Sequence, residues 1–241
     1  VGSPMGALGI GVLACIAESI GAHREELAGS IAVQALYFVL GIGLLLGVLT
    51  LSISPLLPSW LGADPEIRHD ASLYFSIICT PMIFRASTII LGAALRGSGD
   101  TRHPMYANVM MNITNVVLNF FLIYDPRVVT VGSRSLFIPG AGLKVTGAAL
   151  ATAASYCVGG LFMFLMYYRN PQLSPKGHCL KYDASLAGRC LRIAFPVALE
   201  RVSACLGQVV FTSLVTRLGT LSLATHSIAI TAEQAFYIPG Y

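Results

Sequence analysis

Charge is what this sequence has least of. Asp, Glu, Lys and Arg make up 11% of its 241 residues, where roughly 25% is usual for a soluble globular chain. A soluble protein of that length could not cover its surface with so few charges, and a mean hydropathy of +0.74 agrees. The six cysteines (Cys15, Cys79, Cys157, Cys179, Cys190, Cys205) include no CxxC pair. Four of them lie in apolar runs, where a thiol packs as a small hydrophobe. The net charge of +4 is too small, and too confined to loops, for a nucleic-acid surface. Aspartate is missing from every long apolar run, and no GK[ST] follows Gly97-Ser98-Gly99. A phosphate loop, an intramembrane protease and a metalloenzyme therefore lack their residues, and no catalytic constellation points to an enzyme. Asn112-Ile113-Thr114 matches a glycosylation sequon but lies inside an apolar run, out of a glycosyltransferase's reach.

What is present is hydrophobic length. Residues AVILMFWYC make up 55% of the chain, and much of this is gathered into runs of about 20 residues or more, each long enough to cross a hydrocarbon core. The charges that interrupt them mark candidate spans at approximately 1–21, 27–53, 71–95, 104–124, 145–168, 193–217 and 218–241. The fold class predicted is all-α, a polytopic transmembrane helical bundle. The last two spans are separated only by Arg217-Leu218-Gly219-Thr220 and should form an antiparallel hairpin. Neither end resembles a natural terminus: Val1 already lies in an apolar run, and Ile238-Pro239-Gly240-Tyr241 ends within another. These ends predict a piece of a longer protein.

Alternate loops can be sorted by their basic residues. One set carries Arg24, Arg96, Arg102, Arg169, Lys176, Lys181, Arg189 and Arg192, and the other Arg68, Arg127, Arg134, Lys144 and Arg217. The richer set is assigned to the cytoplasm, which predicts an odd number of preceding spans. Gly43 and Gly47, four apart, should let a neighbouring helix approach. Pro81, Pro196 and Pro239 lie inside spans and should bend them.

Polar residues inside the spans must face protein or water. Asn108, Asn112, Asn115 and Asn119 recur at i, i+4, i+7 and i+11, a stripe roughly 60° wide at 100° per residue. They could hydrogen-bond between helices or form the polar wall of a substrate or ion cavity, and four in register favour the cavity. Ser222, His226, Glu233 and Tyr237 share a face of the last span. Glu233 lies deep in an apolar run, and a carboxylate there is a candidate for cation or proton exchange. Glu200 shares a small polar face with Ser203 and Gly207, at a depth that permits snorkelling. Arg85, in mid-span, reads as a buried ion-pair partner rather than a substrate ligand.

Several segments, in order, resemble one family. Arg96-Gly97-Ser98-Gly99-Asp100-Thr101-Arg102-His103-Pro104 is similar to the RGxGDTRxP loop of the multidrug and toxic compound extrusion (MATE) transporters. Ile20 to Ala28 (IGAHREELA) resembles their IGAGDREEA loop, and Leu61 to Ile67 (LGADPEI) their LGADPEV turn. Gly147 to Thr152 (GAALAT) resembles GAAIAT, and Leu218-Gly219 through Ala224-Thr225-His226 resembles LGT…AAHxIA. Together they cover essentially the whole chain.

The resemblance implies a two-lobe fold of twelve spans, here incomplete. Residues 1–180 would be a partial N-terminal lobe of five helices and the following cytoplasmic linker, and 181–241 the start of the C-terminal lobe. It implies a plasma-membrane antiporter that exports organic cations in exchange for Na+ or H+, with no other cofactor, no nucleic acid and no obligate protein partner beyond the lipid bilayer. A first-lobe cation site of the family maps onto Asn115, Asn119 and Thr152, a position for Na+, except that the family's Asp is here Asn119. Glu233 resembles an acidic position used by some members, and Glu200 lies nearer its Pro196 than the corresponding family Glu. A lipid-linked oligosaccharide flippase of the same superfamily and a non-transporting membrane scaffold are the alternatives. The flippase should carry more cavity cations than Arg85 and Arg201.

Overall fold

Without water to hydrogen-bond the backbone, an apolar run in hydrocarbon has to satisfy its N–H and C=O groups internally, which a helix does. The computed structural model describes residues 2–54, 65–123, 127–131, 134–138, 141–173, 182–216, 225 and 228–233. Its helices are α1 (Gly2–Gly21), α2 (Glu25–Ile53), α3 (Pro65–Cys79), α4 (Met82–Gly97), α5 (Arg102–Leu122), α6 (Lys144–Arg169) and α7 (Ala184–Thr216). Five are long and apolar enough to cross a membrane, and six spans result if the bent pair α3–α4 counts as one. The seventh predicted span falls largely outside the described residues.

Local chemistry accounts for the boundaries. The predicted 71–95 span is two helices bent by 48°. Pro81 has no N–H to donate and sits at the N-cap of α4, so the helix breaks there. Pro196, by contrast, is carried inside the continuous α7. That helix starts nine residues before the predicted 193, because the Asp183 carboxylate accepts from the backbone N–H of Ser185 (2.8 Å) and Leu186 (3.3 Å) and caps the first turn. Between α5 and α6, β1 (Arg127–Val131) and β2 (Arg134–Ile138) pair antiparallel, Val131 opposite Arg134. The sequence reading had this segment as plain loop, although its Val, Thr, Leu and Phe favour strand.

The chain divides into two compact units, Val1–Phe195 and Pro196–Tyr241. In the first, α4 is the central helix, and its Met82, Ile90, Leu91 and Leu95 are fully buried with Met5, Val12 and Ile16 of α1, Ile31 of α2, and Met163 and Tyr167 of α6. The Tyr167 hydroxyl donates to the Ala32 carbonyl oxygen at 2.6 Å, tying α6 to α2. Close approach depends on glycine. A Cβ on Gly43 would lie 2.9 Å from Ile83 Cα, and one on Gly160 would lie 2.6 Å from the Phe84 carbonyl oxygen. Gly47, which the sequence reading paired with Gly43, would meet only Met82 Cβ at 3.6 Å, an ordinary contact. Gly159, beside Gly160, faces Met111 of α5 at 3.3 Å, so adjacent glycines let α6 fit between α4 and α5. In the second unit the described residues of α7 and of 228–233 are mostly exposed.

Gly160→Ala should therefore destabilise the full-length protein by about 1–3 kcal/mol, the usual cost of overpacking. Gly6→Ala is the control, because nothing lies within 4 Å of a Cβ placed there. Thermal unfolding in detergent compares the two, and equal melting temperatures would refute the α4–α6 approach described above.

Candidate functional site

The middle of α5 and α6 carries a polar pocket of about 200 Å³, lined by Met111, Asn112, Asn115, Thr152, Ser155 and Tyr156. α5 presents the asparagines because it runs unbroken from Arg102 to Leu122, which keeps their 3.6-residue register. The lower half of the stripe is tied together. Asn119 Nδ2 donates to Asn115 Oδ1 at 2.9 Å, and Asn115 Nδ2 donates to Thr152 Oγ1 on α6 at 3.3 Å. Thr152 in turn donates to its own helix, to the Ala148 carbonyl oxygen at 2.9 Å. Ser155 donates similarly to the Ala151 carbonyl oxygen at 2.6 Å. Asn119 Oδ1 is buried with no hydrogen-bond partner among the described residues, an acceptor that could take a donor or cation.

The other half of the stripe differs. Asn108 and Asn112 are exposed, and α5 has only Pro104 and Ala107 buried. Asn115, Asn119 and Thr152 are thus brought together, while Asn112 reaches the ensemble only as a wall of the pocket. Glu200 and Glu233, in the second unit, are exposed helical residues. Glu200 and the adjacent Arg201 belong to no ion pair among the described residues. His226 and Tyr237 lie outside the described residues. No group of three or more His, Cys, Asp or Glu suited to a metal occurs among the described residues.

Arg85 needs correcting. Its observed partner is aromatic: the guanidinium carbon lies 5.3 Å from the centroid of the Tyr156 ring, on α6. Among the described residues the ion pairs are Asp100–His103 at 2.5 Å and Glu18–Arg189 at 2.6 Å, so the arginine is not held by a carboxylate there. Sequence spacing could not pair residues 71 positions apart on helices whose contact depends on Gly160. The Glu18–Arg189 bridge, from the end of α1 to the start of α7, was likewise missed. The Asp100 carboxylate also accepts from the His103 backbone N–H at 3.3 Å, which gives the RGxGDTRxP-like segment a structural role at the start of α5.

The described residues thus form a bundle of membrane-length helices with a neutral polar pocket at mid-helix. The MatE family model matches residues 1–121, half of the sequence. The chain belongs to the MATE family, and it is a multi-pass integral membrane protein. It is 25% identical over 235 residues to the probable multidrug resistance protein NorM of Thermotoga maritima, covering 98% of this chain and 48% of that protein. An inward-facing multidrug resistance MATE transporter matches with TM-score 0.77 at 24% identity, over 98% of this chain and 51% of that one. An outward-facing MATE transporter matches with TM-score 0.80 at 24% identity, over 93% and 47%. The chain spans about half the length of the curated relatives it matches.

Asn115→Leu should cost the full-length protein about 1–2 kcal/mol, because it strands the amides and hydroxyl on either side. Asn112→Leu, at an exposed position, should cost less than half of that. Unfolding titrations in detergent separate the two, and equal losses would mean that the Asn119–Asn115–Thr152 ladder contributes nothing.

Proposed function

We propose that this chain is part of a secondary active multidrug exporter, which moves organic cations out of the cell in exchange for Na+ or H+ by alternating access. The observation that carries the reading is the Asn119–Asn115–Thr152 ladder with its pocket. Hydrogen-bonding groups that cross from one span to the next in mid-membrane and still leave an acceptor open are what a solute site requires. Membership of the MATE family supports it, as do the name of the Thermotoga maritima relative and the existence of inward- and outward-facing structures with this fold. The lobe boundary would fall near residues 180–181 and the protein would act in the plasma membrane without an obligate protein partner.

In this reading the coupling cation neutralises a carboxylate, Glu233 first and Glu200 second, because the ladder offers only neutral oxygens. Na+ near Asn115, Asn119 and Thr152 would find Asn119 Oδ1 without a partner among the described residues and one lone pair left on the Thr152 hydroxyl, but no full negative charge.

Efflux of a fluorescent organic cation from cells expressing the full-length protein tests this, with the proton and sodium gradients collapsed separately. Efflux should stop with one gradient and fall at least tenfold in Glu233→Gln. No efflux above empty cells, with membrane expression verified, would remove the exporter reading.

A further inference from the structure

Arg85 lies twelve residues before the end of α4 and Tyr156 twelve residues after the start of α6, so each is about 18 Å from its helix end and near the middle of a hydrocarbon core about 30 Å thick. An arginine at that depth is costly unless something answers its charge. The described residues answer it with a ring face alone, 5.3 Å away. That ring is also a wall of the α5–α6 pocket, whose other walls are Met111, Asn112, Asn115, Thr152 and Ser155, none of them charged. One lining residue of the pocket, Tyr156, is thus in contact with a positive charge, and no lining residue carries a negative one. That charge makes the pocket a better place for an anionic group than for a cationic one, so the cationic part of a substrate would sit elsewhere. The Asn112 amide, which has no protein partner among the described residues, adds free N–H donors at the same wall.

We propose that the α5–α6 pocket binds the anionic group of a zwitterionic or anionic organic substrate, typically a carboxylate, with Arg85 as its specificity-determining charge. A zwitterion would present its carboxylate here and leave its cationic group for a carboxylate elsewhere in the protein. As a statement about transport this rests on the exporter reading; as a statement about binding it does not.

A matched pair of dyes tests it: rhodamine 123, a methyl ester and monocation, and rhodamine 110, the corresponding free acid and a zwitterion at neutral pH. Binding to the purified full-length protein in lipid nanodiscs is read by fluorescence anisotropy. The wild type should bind the acid more tightly than the ester. Arg85→Gln should weaken the acid by roughly three- to tenfold, the scale of a nearby charge that makes no direct hydrogen bond to the ligand, and change the ester by less than about twofold. Arg85→Lys should retain most of the preference. Asn112→Asp leaves Arg85 in place and gives it a carboxylate, so it should abolish the preference; this variant decides the matter if Arg85→Gln does not fold. Equal loss of both dyes in Arg85→Gln, or a wild type that does not prefer the acid, would overturn the proposal. Absence of efflux for both dyes in cells would count against the exporter reading alone, because binding is measured separately.

Discussion

The contact between Phe84 and Gly160 sets the geometry of the first unit. Between helices in a bilayer the hydrophobic effect gives little drive, because lipid is as apolar as leucine, and association comes from close packing. A backbone carbonyl that would stand 2.6 Å from a Cβ on Gly160 can be there only because that Cβ does not exist. The consequences run along α4. Ser87, fully within the contact, donates to the Gly160 carbonyl oxygen at 3.2 Å, and Arg85, next to Phe84, is delivered to the Tyr156 ring one turn away on α6. The 48° bend at Pro81 lies immediately before these residues, so the break that frees the start of α4 is also what lets it lean onto α6.

Polar atoms inside the bundle are mostly answered within one turn of their own helix. Ser19 donates to the Cys15 carbonyl oxygen at 2.8 Å, and Thr50 and Ser155 do the same four residues back, a cheap solution that leaves no group for another helix. Against that background the groups that cross between helices stand apart. Ser54 reaches Ser72 and Ser76 to clamp the end of α2 to α3, Tyr167 reaches Ala32, and Asn115 reaches Thr152. The first two are complete in themselves. The third lines a polar cavity, and beside it Asn119 Oδ1 has no partner among the described residues.

The helices were legible in the sequence because apolar length and interrupting charge are local properties. The spans near 1–21, 27–53, 104–124 and 145–168 reappear within a few residues as α1, α2, α5 and α6. The asparagine stripe was legible for the same reason, since spacing alone sets a helical face. What was not legible depended on which helix faces which. The early start of α7 rests on the Asp183 cap, a single side chain beyond the apolar run. Of Gly43 and Gly47, equivalent in spacing, only the first meets a backbone, and Gly159 and Gly160 carry the closer packing without a spaced motif to announce them. Arg85 was misread because intramembrane arginines are expected to find carboxylates, whereas the partner supplied by α6 is a tyrosine.

The neutrality of the ladder constrains what the first unit can do. Asn119 and Asn115 are each donor and acceptor at once, so they chain head to tail at 2.9 Å without a proton to gain or lose. An ionised carboxylate at position 119 could not donate to Asn115 Oδ1 as the Asn119 amide does, and it would change charge when it bound a proton. With asparagine there, this position cannot change charge by gaining or losing a proton. In the proposed exporter, a step that depends on a group changing charge would use residues other than Asn119, with Glu233 and Glu200 of the second unit as the candidates.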